Sequence, residues 1–189
     1  VAIIQMDSQD NIEDNRAKAI NYVDVAASNG AQLVVLPEVF VHLDNLDKMK
    51  TKAEPIPGPT SELLQEAASR KKIHLVGGSF FEKTEDAGKI YNTNLFLGPD
   101  GSILSVYRKI HLFEIDVPGE VVVDEGQVIE SGSDVVTSDT PLGVIGFSIC
   151  YDIRFPELYR ALSDRKATII TVPAAFAMKT GKDHWETLL

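Results

Sequence analysis

The segment Gln32-Leu33-Val34-Val35-Leu36-Pro37-Glu38 places consecutive aliphatic residues between a polar residue and a proline followed by an acid. The run is too short for a helix and Pro37 stops it, so it predicts a strand. Its unbroken apolarity, without the alternation of a half-exposed strand, predicts burial on both faces, as in a sheet covered by helices. Upstream, Ala17, Ile20, Val23 and Ala27 recur at helical spacing between Asn15 and Ser28, and Asn29-Gly30 closes that helix. Val1 to Gln5 reads as a short strand before it. Downstream, Asp44 to Glu54 is rich in charge and runs into Pro55, Pro57, Gly58 and Pro59, which predicts a loop with one helical turn, placed to act as a lid. Thr60 or Ser61 then caps a helix bearing Leu63, Leu64, Ala67 and Ala68, and Ile73 to Val76 is the next strand.

Further along, Ile90 to Leu97 and Ile103 to Tyr107 flank the turn Gly98-Pro99-Asp100-Gly101, the pattern of an antiparallel hairpin. Val144 to Ile149 and Thr168 to Val172 read as strands on either side of a helix over Pro156 to Arg165. The acidic stretch Glu114 to Glu130 contains Pro118, Gly119 and Gly126 and is expected to be irregular. Strands alternating with helices define a mixed α/β class. No repeat, low-complexity tract or linker interrupts the pattern, so residues 1–189 are expected to form a single domain. The first residue is Val1 rather than Met, and Trp185 to Leu189 looks like a helix interior, so both ends are expected to be truncated.

Eighteen basic against twenty-eight acidic residues leave a formal charge of −10. Such a surface repels phosphate backbones and anionic membranes, which argues against nucleic-acid and membrane partners. No apolar run approaches the roughly 20 residues of a membrane-spanning helix. A lone cysteine, Cys150, rules out an intrachain disulfide, and no charged-then-apolar leader opens the chain, so a reducing, cytoplasmic compartment is expected. There is no His-x-x-x-His, Cys-x-x-Cys or Gly-x-x-x-x-Gly-Lys spacing, so no metal and no cofactor is expected.

Ligands of α/β folds gather beyond strand ends, where loops present side chains. Glu38, Lys109 and Cys150 each follow an expected strand. A thiol attacks only as thiolate, which requires an adjacent base or a positive environment. Unpaired N–H groups of the helix beginning at Pro156 lie near Cys150, and Glu38, beside an apolar strand, is suited to accept a proton. Each residue also has a plainer reading: a packed thiol, a solvated acid, an exposed Arg108-Lys109 pair. A papain-like site with His111 or His184 as base is a rival, but the flanks of Cys150 lack that signature.

Leu33 to Glu38, Tyr107-Arg108-Lys109-Ile110-His111-Leu112-Phe113 and Cys150-Tyr151-Asp152-Ile153-Arg154-Phe155-Pro156-Glu157-Leu158 together resemble, in order, three motifs of the nitrilase superfamily of carbon-nitrogen hydrolases. Within it, Tyr107 to Gly119 and the Cys150 segment are most similar to the Nit, or ω-amidase-like, branch. The resemblance covers essentially the whole chain. It implies a four-layer αββα sandwich whose C-terminal part lies beyond Leu189, and an amidase cleaving a small carboxamide through a Cys150 thioester. α-Ketoglutaramate and deaminated glutathione are the implied kinds of substrate. It assigns Glu38 as general base and Lys109 as oxyanion stabiliser, assisted by the backbone N–H of Tyr151. Glu125 matches a second, positioning glutamate, with Glu120 and Glu130 as neighbouring alternatives. Arg154 matches a residue that faces the substrate and suits a carboxylate. A homodimer or higher homo-oligomer, paired through the helix after the nucleophile, is also implied. A nitrilase, or a non-catalytic binding protein on the same fold, is the alternative.

Overall fold

The computed structural model describes residues 1–85, 88–117 and 121–189. Its first sheet is built from β1 (Ala2–Ile3), β2 (Leu33–Val35), β3 (His74–Val76), β4 (Phe80–Lys83), β5 (Ile90–Leu97) and β6 (Ile103–Arg108). β1, β2 and β3 run parallel, β5 lies antiparallel to β3, and β6 pairs with the other edge of β5. β4 shares the β3 edge of β5, pairing Phe80 with Thr93 where β3 pairs Val76 with Phe96. The three residues 77–79 therefore face two on β5, a bulge that Gly78 (φ +62°) makes possible.

β2 is buried on both faces, as its composition predicts. Val34 joins Leu75, Leu95 and Leu97 beneath α1 (Ile12–Ser28) and α3 (Pro59–Lys71), through Ala19, Val23, Leu64, Ala67 and Ala68. Leu33 and Val35 point the other way, with Val76, Phe96 and Tyr107, onto Ile145 and Phe147 of a second sheet and Ile149 just beyond its strand. Each such side chain contributes about 2 kcal/mol by leaving water. The second sheet runs β11 (Ile169–Thr171), β10 (Gly143–Phe147), β9 (Thr137–Thr140), with β10 parallel to β11 and antiparallel to β9. Its outer face is covered by α4 (Pro156–Asp164), which buries Leu158 and Leu162; a Cβ on Gly146 would lie 3.2 Å from Leu162. The order of layers is helix, sheet, sheet, helix, the αββα arrangement.

Several expectations need correction. The stretch Asp44 to Glu54 is anchored rather than loose: α2 (Leu46–Thr51) is capped by Asn45, which accepts from Lys48 N at 3.0 Å, and Met49 and Ala53 pack with Phe81, Val128 and Ile129. α3 begins one residue before Thr60, with Gly58 at its cap; Gly58 N donates to Ser61 Oγ and Thr60 N donates to a Glu54 carboxylate oxygen, both at 2.8 Å. The described residues of Glu114 to Glu130 are regular rather than irregular: β7 (Glu114–Val117) pairs antiparallel with β8 (Val121–Asp124), and a 3-10 turn, Glu125–Gln127, follows. Pro118, Gly119 and Glu120 lie outside the described residues. β4 and β9 were not anticipated. The final helix, α5, spans Met178–Leu188. Among the described residues no helix is long and apolar enough to cross a membrane.

Candidate active site

Glu38 sits in the turn after β2. That turn is held by Ser79, fully buried, whose Oγ accepts from Val39 N at 3.0 Å while its own N–H donates to the Pro37 carbonyl at 3.2 Å. Val39 is forced to φ +45°, costly for a β-branched residue, and a Cβ on Gly78 would lie 2.1 Å from the Pro37 oxygen. The Glu38 side chain is 5% exposed. Its Oε1 accepts from Asn92 Nδ2 at 3.0 Å and from Lys109 Nζ at 3.1 Å, and its Oε2 accepts from the Ala175 N–H at 2.8 Å.

Lys109 leaves the end of β6 with its N–H bonded to the Asn92 carbonyl and its carbonyl bonded to Gly132 N. Its side chain is 1% exposed, and Nζ lies between Glu38 and Glu125, 3.0 Å from Glu125 Oε2. Burial alone would lower its pKa, but the two carboxylates outweigh that and raise it, so the amine stays an ammonium. Glu125 is fixed from behind: Phe113 N donates to Oε2 at 2.7 Å, and Glu125 N donates to the Phe113 carbonyl at 3.0 Å. Burial pushes the Glu125 carboxyl above its usual range, against the pull of Lys109. Of the alternatives, Glu130 is exposed and pairs with Lys89 at 3.5 Å, and Glu120 is among the residues not described.

Cys150 opens a 3-10 turn (Cys150–Arg154) at φ +48°, its N–H bonded to the Pro173 carbonyl at 2.9 Å. Burial pushes the thiol well above its ordinary pKa, Glu38 adds to the rise and Lys109 opposes it. The resting group is thus a neutral thiol beside the Glu38 carboxylate, rather than a thiolate made by nearby helix N–H groups. Asp152, fully buried, ties this turn to the Lys109 segment. It accepts from Ile149 N (2.8 Å), Tyr107 OH (2.6 Å) and both His111 N (3.0 Å) and His111 Nδ1 (2.7 Å). His111, stacked on Phe155 with ring centroids 3.7 Å apart, is committed to that network. His184 is committed to Arg154, at 3.0 Å from Nη2.

Glu38, Lys109, Glu125, Cys150, Tyr151 and Arg154 line one cavity of about 70 Å³, room for a carboxamide-sized group, with Phe113 and Phe176 as apolar walls. The six predicted residues are therefore brought together. Glu38 and Lys109 come from the first sheet and Cys150 from the second, so the cavity sits where the facing sheets open at one end. Sequence reasoning missed Asn92, Ser79, Asp152 and the Ala175 N–H. The only signal for Asn92 was a polar residue inside an apolar strand run; Asp152 lay within the Cys150 motif with no role attached, and Ser79 followed a Gly-Gly break.

An αββα sandwich that holds a thiol, two carboxylates and an ammonium around one small cavity defines a class, the carbon-nitrogen hydrolase fold. The carbon-nitrogen hydrolase family model matches residues 1–189, and the chain belongs to that family. It is 42% identical to human omega-amidase NIT2 over 188 residues, covering 100% of this chain and 67% of that protein. It is also 42% identical to the deaminated glutathione amidase of Synechocystis, covering 100% of this chain and 70% of that one. The Caenorhabditis elegans NitFhit crystal structure superposes with a TM-score of 0.88 at 36% identity, over 99% of this chain and 46% of NitFhit.

Proposed function

We propose that the chain hydrolyses an ω-amide of a dicarboxylic acid through a Cys150 thioester, to carboxylate and ammonia from a primary amide such as α-ketoglutaramate, or to carboxylate and the free amine where the nitrogen is substituted, as in deaminated glutathione. The observation that carries this is the Lys109 ammonium wedged between Glu38 and Glu125 beside Cys150, in a cavity that also receives Arg154. Glu38 takes the thiol proton as sulfur attacks the amide carbon and returns it to the departing nitrogen. Lys109, locked as a cation, and the Tyr151 backbone N–H stabilise the tetrahedral oxyanion, a contribution of about 3 kcal/mol per donor. Glu125 holds Lys109 in place and shares its charge. Glu38 then activates water against the thioester. Arg154 suits the far carboxylate of a dicarboxylic half-amide. The relatives named as an omega-amidase and a deaminated glutathione amidase support α-ketoglutaramate or deaminated glutathione as the kind of substrate.

Ammonia release from α-ketoglutaramate, with and without Cys150→Ala, tests this. Release equal to the carboxylate formed and absent in the variant is expected; unchanged turnover in Cys150→Ala refutes it. The family likeness also supports a homodimer or higher homo-oligomer paired through α4, which sedimentation equilibrium reads directly. A reducing cytoplasmic compartment would keep the Cys150 thiol free.

A further inference from the structure

Arg154 lines the cavity beside Cys150, and among the described residues no carboxylate pairs with it. Of the acids that flank it in sequence, Asp152 is taken up by Ile149, Tyr107 and His111, and Glu157 pairs with Arg160 at 2.7 Å. Two uncharged groups hold the guanidinium instead. Its Cζ lies over the Tyr151 ring, 5.6 Å from the centroid, and its Nη2 lies 3.0 Å from His184 Nδ1. A guanidinium only donates, so Nδ1 is the acceptor here, and an imidazole that accepts at that nitrogen carries no charge. His184 sits on α5, and the next residue, Trp185, meets Phe176 edge to face with ring centroids 5.0 Å apart. Phe176 lines the same cavity. Neighbouring residues of α5 thus brace both the cation and an aromatic wall of the site.

Resting on the ω-amidase reading above, we propose that His184 is a positioning residue for substrate selection. A carboxylate partner would aim Arg154 equally well, but it would cancel the charge, and a substrate carboxylate would then have to displace it. A neutral acceptor aims the guanidinium without cancelling it. It also occupies only one of the N–H groups, so the planar fork keeps donors for a bidentate carboxylate. His184 does not itself line the cavity, so it acts through Arg154. The preference for an amide ending in a carboxylate over an uncharged amide of the same length depends on this contact.

The test uses the full chain with succinamate and butyramide, which differ only in a carboxylate against a methyl group, and reads the ratio of their kcat/KM values. The Arg154–His184 contact lies at the surface, so His184→Leu should lower that ratio by a modest factor, about fivefold, through KM for succinamate rather than kcat. His184→Asn offers an uncharged oxygen near the place of Nδ1 and should restore the ratio to within about twofold of wild type. His184→Asp has the shape of that variant but adds a negative charge about 6 Å from the substrate carboxylate, which even in a water-like dielectric lowers the ratio about threefold further. Circular dichroism at the assay temperature checks that each variant is folded. A ratio unchanged in both His184→Leu and His184→Asp overturns the inference, as does an equal loss on the two amides, which would make α5 a support and nothing more. Arg154→Leu separates the two readings. If it lowers the ratio and the His184 variants do not, only the role of His184 is wrong. If it too leaves the ratio unchanged, or if succinamate is not cleaved at all, the ω-amidase reading falls and takes this inference with it.

Discussion

Replacing Asp152 by asparagine keeps the side-chain volume and removes a charge, yet it strikes the group that ties the cysteine turn to the lysine segment. Each carboxylate oxygen receives two donors: Ile149 N and Tyr107 OH on one, His111 N and His111 Nδ1 on the other. Asparagine must turn its NH₂ toward one of these pairs. The tyrosine hydroxyl can rotate and the imidazole can change tautomer to accept, but the backbone N–H of Ile149 or His111 cannot. One buried N–H is therefore left facing another donor, a loss of about 2 kcal/mol. For a chain of this size that lowers Tm by about 4–8 °C. Asp152→Ala, which strands all the donors, should cost about 4 kcal/mol. Ile149 immediately precedes Cys150 and His111 follows Lys109 by two residues, so relaxation at Asp152 shifts nucleophile and ammonium relative to each other. A displacement near 1 Å costs about a hundredfold in rate. Thermal unfolding by circular dichroism, steady-state ammonia release well below the variant's Tm, and iodoacetamide labelling of Cys150 read the two effects separately. Expected is a hundredfold fall in kcat with KM within about threefold of wild type. A kcat within twofold of wild type would refute the positioning role, and an unchanged Tm would refute the hydrogen-bond count.

Because burial and Glu38 hold the Cys150 thiol well above its ordinary pKa, alkylation of the free protein should keep climbing above pH 9 with no plateau near neutrality; a plateau below pH 8 opposes this. Lys109→Met removes the opposing cation and should move that curve to still higher pH. The same raised pKa means that Cys150 favours folding below the ordinary thiol range and loses that contribution as pH rises through the folded value, a loss that Cys150→Ala should abolish in urea titrations. Burial also raises Glu125, so it takes up a proton above its usual pH on acidification; the acid limb of kcat/KM that this produces should vanish in Glu125→Gln, and an identical limb in the variant counts against it. Gly78→Ala would put a methyl group 2.1 Å from the Pro37 carbonyl at φ +62° and should cost about 3 kcal/mol and displace Glu38. Gly30→Ala, at φ +88° with nothing within 4 Å, should cost only about 1 kcal/mol; equal losses would show that strain alone, not the contact, matters.

What could be read ahead of the structure follows from how local each signal is. β2 and the β5–β6 hairpin were legible because apolar runs and a Gly-Pro-Asp-Gly turn specify them within about ten residues. β4 was not, since Gly77-Gly78 reads as a break, while in the folded sheet it is a bulge that keeps one strand edge on β5. The β7–β8 hairpin was hidden by acidic residues, although its register pairs Ile115 with Val123. Glu38, Lys109 and Cys150 stood out because each ends a strand and carries a recognisable motif. Asn92 and Asp152 did not, because their contacts join residues 54 and 41 positions apart in the chain. Those contacts depend on how two sheets face each other, which no single segment encodes. The packing of Val35, Val76 and Phe96 onto Ile145, Phe147 and Ile149 brings the two sheets to a fixed spacing. That spacing brings an ammonium from one sheet and a thiol from the other onto the same cavity of about 70 Å³. A buried lysine between two glutamates gains nothing from such a place unless the structure holds it rigid, since the desolvation of three charges is repaid only by good geometry. The hydrogen bonds to Asn92, Phe113 and Ala175 supply that geometry, which is why these groups belong to the site as much as the three that the motifs announce.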